Sequence, residues 1–414
     1  MAGFRDDPGT ASQPNLIHQV MNHKILITTF TFQPNKDGIA EAAGLMAFWL
    51  AERGHDVVVL TGSLPDRHDF QPHPRLRIQQ FNANFHRLFD AVSQEDSEHI
   101  RNFIRHENPD VIICHCCEIW TAANAEQVFD ELKAKTILTS HGYTTHIWLP
   151  RARPPFGLGV WSRHFLRYVT RLPWVLRRYD RVVFLSRKQD WGRFFDHRLA
   201  KLTGHQGIRV IPNGTDANPK RASEQDFRRD FIPGSGLSVC YVANYSPRKN
   251  QARAIRVFRK AALKDASLIL IGSEFNAYSE SLKELDLQLQ KVYPAGTVVF
   301  LEKLDRLTTL AAYSTCDVFL LAADAETQPI VLLEAMAAGQ PFVTTNVGCV
   351  TELPGGIVAN SEAGLSEALV TLQNSPEKRK QLGDLGRTAV MQDFTKEKVM
   401  TAYENLIQEL FPMQ

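Results

Sequence analysis

Two carboxylates, Glu326 and Glu334, stand with seven residues between them in ETQPIVLLEAMAAGQPFVTTNVGCVTEL, the stretch from Glu326 to Leu353. Glu334 lies inside an apolar run, Ile330 to Ala338. A buried carboxylate is costly unless it is paired or hydrogen-bonded, so Glu334 asks for a partner. A carboxylate accepts hydrogen bonds and donates none, and two of them together suit a ligand rich in hydroxyl groups. The plainer alternative is a Glu326 that caps a helix and a Glu334 salt-bridged within the protein.

The neighbouring residues say where this pair should sit. Val318 to Ala322 is a short apolar run of buried-strand type. Asp324 to Gln328 is polar, Pro329 suits the first turn of a helix, and Gly339 and Pro341 end the run of helix formers that follows. Glu326 is therefore expected in a strand-to-helix loop at the carboxyl edge of a sheet, where open α/β folds bind ligands. Pro329, Ile330 and Val331 would form a helix start that favours an anion such as a phosphate.

Other loops carry the same signature of a polar residue just past a strand. Tyr241 to Asn250 (YVANYSPRKN) ends with Arg248 and Lys249 at a helix start, either an anion site or a solvated loop pair. Ser140-His141-Gly142 follows TILTS, and its imidazole is a candidate ligand contact or a surface histidine. Asp37-Gly38 opens a helix, and Asp37 is equally suited to cap it. Gly272 closes a further strand, where the missing side chain would let a ligand approach the backbone. Asn213-Gly214 is a turn signal with a structural role.

The Glu326/Glu334 pair, followed by a pattern AMAxGxPxVxTxxGxxxE, resembles the E-x7-E motif of retaining glycosyltransferases of family 4, which have the two-Rossmann-domain GT-B fold. The resemblance runs from about Lys24 to the C-terminus. It implies a nucleotide-sugar donor, with UDP or GDP as the carrier, held mostly by the second half, and a glycan, lipid-linked or small-molecule acceptor held by the first. It also implies transfer with retention and no metal or other cofactor. By the same resemblance His141, Lys249 and Glu326 are the catalytic candidates: Glu326 contacts the sugar hydroxyls and Lys249 the diphosphate. Glu334 would accept hydrogen bonds from the ribose, and the loop at Leu304 would read the base edge. The sequence departs from the family at two positions. The first glycine of a Gly-Gly pair is replaced by Asp37, so only Gly38 carries over, and the arginine five residues before the lysine falls on Asn244, leaving Arg248 as its candidate substitute.

The elements that must position these residues alternate strand and helix almost throughout, with a helix expected over Asn124–Ala134, a last strand at Phe342–Thr345 and final helices near Pro376–Gln392 and Lys396–Leu410, which argues for parallel sheets covered on both faces. At 414 residues two domains are expected, 22–213 and 214–395, and the resemblance implies that the first takes the acceptor and the second the nucleotide sugar. The resemblance implies that the terminal helix, about 396–414, packs back on the first domain. Hydrophobic residues at 44%, charged residues at 22% and a net charge of +2 fit a globular protein and do not suggest a nucleic-acid partner. No apolar run reaches the roughly 18 residues that span a bilayer. Residues 1–21 read as a polar leader and the six cysteines as free thiols in a cytoplasmic protein. Cys114-His115-Cys116-Cys117 invites a metal check, but adjacent strand residues point to opposite faces and cannot chelate alone. Residues 151–181 mix arginines with Phe156, Trp161, Phe165 and Trp174, a stretch suited to an anionic membrane, an acidic acceptor, or simply a core helix with solvated arginines. Pro173 is expected to kink or break that helix. The rival readings are a nucleotide-sugar epimerase of the same fold and a non-catalytic carbohydrate-binding protein. A dehydrogenase is disfavoured, since no GxGxxG follows the first strand.

Overall fold

The structure, a computed structural model, describes residues 22–35, 37–64, 67, 73–82, 92–117, 119–142, 166, 170–187, 196–218 and 221–411. Short apolar runs form two parallel sheets. The first contains β1 (Lys24–Thr28), β2 (Asp56–Gly62), β3 (Leu76–Phe81), β4 (Val111–His115), β5 (Lys135–Ser140), β6 (Arg181–Phe184) and β7 (Ile208–Val210), in the order β3-β2-β1-β4-β5-β6-β7. The second contains β8 (Ser238–Val242), β9 (Ser267–Gly272), β10 (Thr297–Glu302), β11 (Val318–Leu321), β12 (Phe342–Thr345) and β13 (Gly356–Ala359), in the order β10-β9-β8-β11-β12-β13. In each sheet the strand order reverses once, between β1 and β4 and between β8 and β11. A reversal opens a crevice at the carboxyl ends of the strands, and ligands bind there in open α/β folds.

Strand periodicity divides the first core. Ile25 and Ile27 of β1 pack against Ala43, Met46 and Leu50 of the helix Gly38–Glu52. Leu26 packs on the opposite side with Ile100 and Ile104 of the helix Gln94–Glu107. The last helix, Lys396–Gln408, belongs to this first domain: Val399, Met400, Tyr403, Leu406 and Ile407 join the cluster around β1. Each such side chain is worth roughly 1.5–3 kcal/mol of buried apolar surface, so the helix is firmly held.

The chain therefore crosses between domains twice, and the crossings lie side by side. Thr215 N–H donates to the Phe394 carbonyl at 2.8 Å, and Lys396 N–H donates to the Thr215 carbonyl at 2.9 Å. Gly214 permits this approach, since a Cβ there would stand 3.0 Å from Lys396 Cα. Phe227 of the helix Glu224–Phe231 already lies in the second core.

Several elements differ from the sequence expectation. A helix expected over Asn124–Ala134 runs Trp120–Val128 and continues as a 3-10 turn, Phe129–Glu131. β13 and the helix Glu362–Asn374 were not expected. Pro173 lies within helical residues 170–177 and does not end the helix. Of the basic-aromatic stretch, 151–165 and 167–169 lie outside the described residues.

Candidate active site

The loops after β8 and β11 flank the crevice of the second sheet. They bring together Lys249 and Glu326, 77 residues apart in sequence, with Nζ 2.5 Å from Oε1. The two side chains are only 20% and 11% exposed, so neither charge is well hydrated and each serves as the other's counterion. Asn250, in the left-handed region at φ 51°, turns the chain into the helix Gln251–Ala261 and caps it by accepting from Arg253 N–H at 3.1 Å. Arg253 Nη2 lies 2.6 Å from Asp324 Oδ1, which also accepts from Asn250 Nδ2 at 3.2 Å. Asp324 is therefore bound to its own domain. Among the described residues no group of three or more His, Cys, Asp or Glu could hold a metal ion.

The helix Ile330–Ala337 starts beside this pair. Pro329 is its N-cap residue rather than part of its first turn, and no side chain caps it. Proline has no N–H, so Ile330 and Val331, not Pro329, supply the first-turn amides for an anion. Glu334, one turn on, is 6% exposed but already paired within the protein. Arg306 bonds its Oε1, and the Tyr313 hydroxyl donates to its Oε2 at 2.8 Å. This corrects the sequence argument: burial of Glu334 does not by itself demand a sugar, because Arg306 and Tyr313 satisfy it. Each carboxylate oxygen keeps a second acceptor site. Arg306 is half exposed and, like Glu334, lines the interdomain cleft.

The first domain supplies the facing wall. Asp37 is the N-cap of the helix Gly38–Glu52: its Oδ1 accepts from Ile39 and Ala40 N–H, both at 3.0 Å, and its Oδ2 from the Thr31 hydroxyl at 2.6 Å. The replacement of a glycine by Asp37 thus has a structural role. Gly38 is exposed, and a Cβ on it would reach Ile330 Cδ1 at 4.0 Å, so the starts of the two helices face each other. His141 follows β5 and meets His115, the last residue of β4, with Nε2 2.9 Å from Nδ1. Burial holds the His141 imidazole down to about 4, and burial together with the neighbouring ring holds His115 well below the usual range. Both rings are neutral at pH 7.

Two contacts join the walls. The Thr327 hydroxyl donates to the His141 carbonyl at 2.6 Å. Asn213 N–H donates to Gln328 Oε1 at 2.5 Å, and Asn213 Nδ2 to the Gln328 carbonyl at 3.0 Å. The Asn-Gly turn therefore holds the loop that carries Glu326. Glu41, His115, His141, Arg306, Ile330 and Glu334 are among the residues around a cavity of about 180 Å³ between the domains.

The remaining sequence candidates are more peripheral. Arg248 is exposed, and its carbonyl accepts from Asp324 N–H at 3.1 Å. Asn244 is exposed, and its carbonyl accepts from Gln251 Nε2 at 3.0 Å. Gly272 makes room for the protein itself, since a Cβ there would stand 2.3 Å from the Tyr245 ring. Leu304 packs against the second core. Sequence reasoning missed Arg306 and Tyr313 as partners of Glu334, and Arg253 as the partner of Asp324. It met His115 only as a metal candidate.

The family profile described as Glycosyl transferases group 1 matches residues 222–388, and that described as Glycosyltransferase Family 4 matches residues 37–218. The chain is a glycosyltransferase of family 4. Its architecture is that of GT-B enzymes. It is similar to sucrose-phosphate synthase from Thermosynechococcus elongatus, with a TM-score of 0.76 at 18% identity over 94% of this chain and 99% of that one. It is also similar to Anabaena HepE in complex with UDP and glucose, with a TM-score of 0.69 at 17% identity over 94% and 100%. These likenesses concern the fold. Among curated relatives, N-acetyl-alpha-D-glucosaminyl L-malate synthase of Bacillus anthracis is 24% identical over 405 residues, 93% of this glycosyltransferase and 97% of the relative. A GDP-mannose-dependent phosphatidylinositol monomannoside mannosyltransferase of Corynebacterium glutamicum is 29% identical over 227 residues, 49% and 57% of the two chains.

Proposed function

We propose that this glycosyltransferase takes a nucleoside diphosphate sugar on the second-domain wall of the cleft. It transfers the sugar, with retention of configuration, to an acceptor on the first-domain wall. The observation that carries this reading is the Lys249–Glu326 pair beside the uncapped start of Ile330–Ala337, facing Gly38. A donor exchanges the partners of that pair: the ammonium and the Ile330 and Val331 amides take the diphosphate, and the carboxylate takes sugar hydroxyls. Negative charge grows on the diphosphate as the glycosidic bond breaks, beside fixed donors whose side chains are largely buried. Arg248, exposed next to Lys249, is free to add a second cation. The ribose meets Glu334 alongside Arg306. No step of this scheme requires a metal.

The carrier is UDP or GDP. The Anabaena neighbour binds UDP and glucose, and the Corynebacterium relative is named for GDP-mannose. The acceptor is a glycan, a lipid-linked molecule or a small molecule, and the Bacillus relative is named for L-malate. Among the described residues no helix is long and apolar enough to cross a membrane. Residues 170–177 bury Leu172, Val175 and Leu176 and expose Arg171, Trp174 and Arg177, with Leu202 exposed nearby and Arg177 bonded to the Thr203 carbonyl at 3.0 Å. A basic face with protruding apolar side chains suits peripheral contact with an anionic membrane. The test of the activity is incubation with UDP-, GDP- and ADP-sugars and a panel of acceptors. Nucleoside diphosphate release is followed, and the anomeric coupling of the product is read by proton NMR. Absence of transfer from every donor, or an inverted product, would refute the proposal.

A further inference from the structure

We propose that His115 is a positioning residue for the transfer: it fixes the plane and the tautomer of the His141 ring, keeping the His141 proton on Nδ1 and its Nε2 an acceptor. The inference rests on the reading that His141 borders the donor sugar. Its geometry, however, is independent of that reading.

The two rings lie 2.9 Å apart from Nδ1 of His115 to Nε2 of His141. Their centroids are 5.2 Å apart and their planes differ by 20°. Nearly coplanar rings whose centroids are separated by the N···N distance plus the two ring radii meet edge to edge. The hydrogen bond therefore lies in the plane of both rings, along the lone pair of the accepting nitrogen, which is its strongest alignment.

One ring donates, and burial decides which. His115 is 0% exposed, and its Nε2 has no hydrogen-bond partner among the described residues. If Nε2 of His115 carried the proton, a buried N–H would be stranded. With the proton on Nδ1, the donor is used and only a bare ring nitrogen is left. Buried orphan donors are the rarer of the two. His115 therefore donates, His141 Nε2 accepts, and the single proton of His141 resides on Nδ1.

His115 is well placed to hold a ring still. It ends β4 in register with Thr139 of β5, and the next residue, Cys116, turns away at φ 67° with its N–H on the Thr139 carbonyl at 3.0 Å. His141 is thus held twice: its ring by His115 within the first domain, and its carbonyl by Thr327 from the second. The outcome suits glycosyl transfer. A neutral ring that presents an N–H can bond a sugar hydroxyl, and it adds no positive charge near an anomeric carbon where positive charge develops.

The test uses the full-length protein with nitrogen-15 histidine, whose long-range proton–nitrogen spectra report which ring nitrogen carries hydrogen. For wild type, His141 is expected to show a protonated Nδ1 and a bare Nε2. In His115→Phe, which keeps the ring volume but not the donor, His141 is expected to exchange between tautomers. Turnover should fall about fivefold, the worth of a typical hydrogen bond, with nucleoside diphosphate affinity unchanged. His115→Asn, whose amide nitrogen can take the place of Nδ1, should recover most of the rate. A His141 proton on Nε2 in wild type, or an unchanged tautomer in His115→Phe, would overturn the proposal. The wild-type spectrum needs no activity and no variant, so it is read even if no nucleotide sugar is turned over.

Discussion

Lys249→Met separates the two tasks of the Lys249–Glu326 pair. In the resting protein Nζ sits 2.5 Å from Oε1, with the side chains 20% and 11% exposed. Removing the ammonium leaves the carboxylate at that burial without its cation. An unsatisfied polar group of this kind costs about 1–3 kcal/mol, and more when charged. The second domain should therefore melt at least ~2–4 °C lower, the shift expected per kcal/mol for a domain of this size. In the transition state the loss falls on the leaving diphosphate. Removing one preorganised donor to a developing charge costs ~2.7–4 kcal/mol, or about a hundred- to a thousandfold in kcat. The Ile330 and Val331 amides remain, which points to the lower end, near a hundredfold. The double variant Lys249→Met/Glu326→Gln removes the orphaned charge as well. It should recover most of the melting temperature and none of the rate, with a coupling energy of about 1–3 kcal/mol. Thermal melting and steady-state kinetics on the four proteins of the cycle measure both quantities. Wild-type turnover in Lys249→Met, or a double variant no more stable than the single, would show that the pair does not work as described.

Further outcomes follow from other sites. Burial holds the imidazoles of His55 and His197, 3% and 5% exposed, down to about 4, against 6.5 in the unfolded chain. Between those values the unfolded chain binds protons that the folded one does not. Stability is therefore fully present above pH 6.5 and falls as the pH drops towards 4, by up to about 1.4 kcal/mol per unit for each group. Urea unfolding at pH 7 and pH 5 reads this, and equal stability at both would contradict it. Gly272→Ala places a Cβ against a Tyr245 ring whose hydroxyl bonds the Leu270 and Leu301 carbonyls, both at 3.0 Å. Overpacking should cost about 1–3 kcal/mol by chemical denaturation, and a wild-type midpoint would show that the ring can move aside. Vesicles with anionic phospholipid should float with the protein at low salt and release it at high salt, and Trp174→Ala should weaken the association. No flotation at low salt would dismiss the membrane contact.

Much of this architecture was legible because parallel strands buried on both faces read as uninterrupted apolar runs, as VIICH in β4 and VFLL in β11 do. β13 was not, because its four residues, GIVA, are only partly buried at the sheet edge and carry little pattern. The helix Trp120–Val128 was read four residues late because Ile119, at its N-cap, has no side chain that can signal a start. The Glu326 loop and the helix after it could be drawn from local rules of strand, turn and proline. The partner of Glu334 could not, since Arg306 and Tyr313 lie 28 and 21 residues away and meet it only through the packing of two helices. Asp37 shows the limit of local reading from the other side: the residue type allowed a cap or a ligand site, and only the bonds to Thr31, Ile39 and Ala40 decide for the cap.

The most direct measurement is hydrogen exchange of the intact protein with and without saturating UDP or GDP. Protection is expected in residues 246–251 and 326–334, where Lys249, Glu326 and the Ile330 and Val331 amides would surround a bound diphosphate. If each nucleotide leaves those two segments unchanged, or protects only segments elsewhere, the cleft beside Lys249 and Glu326 is not where this glycosyltransferase holds its donor.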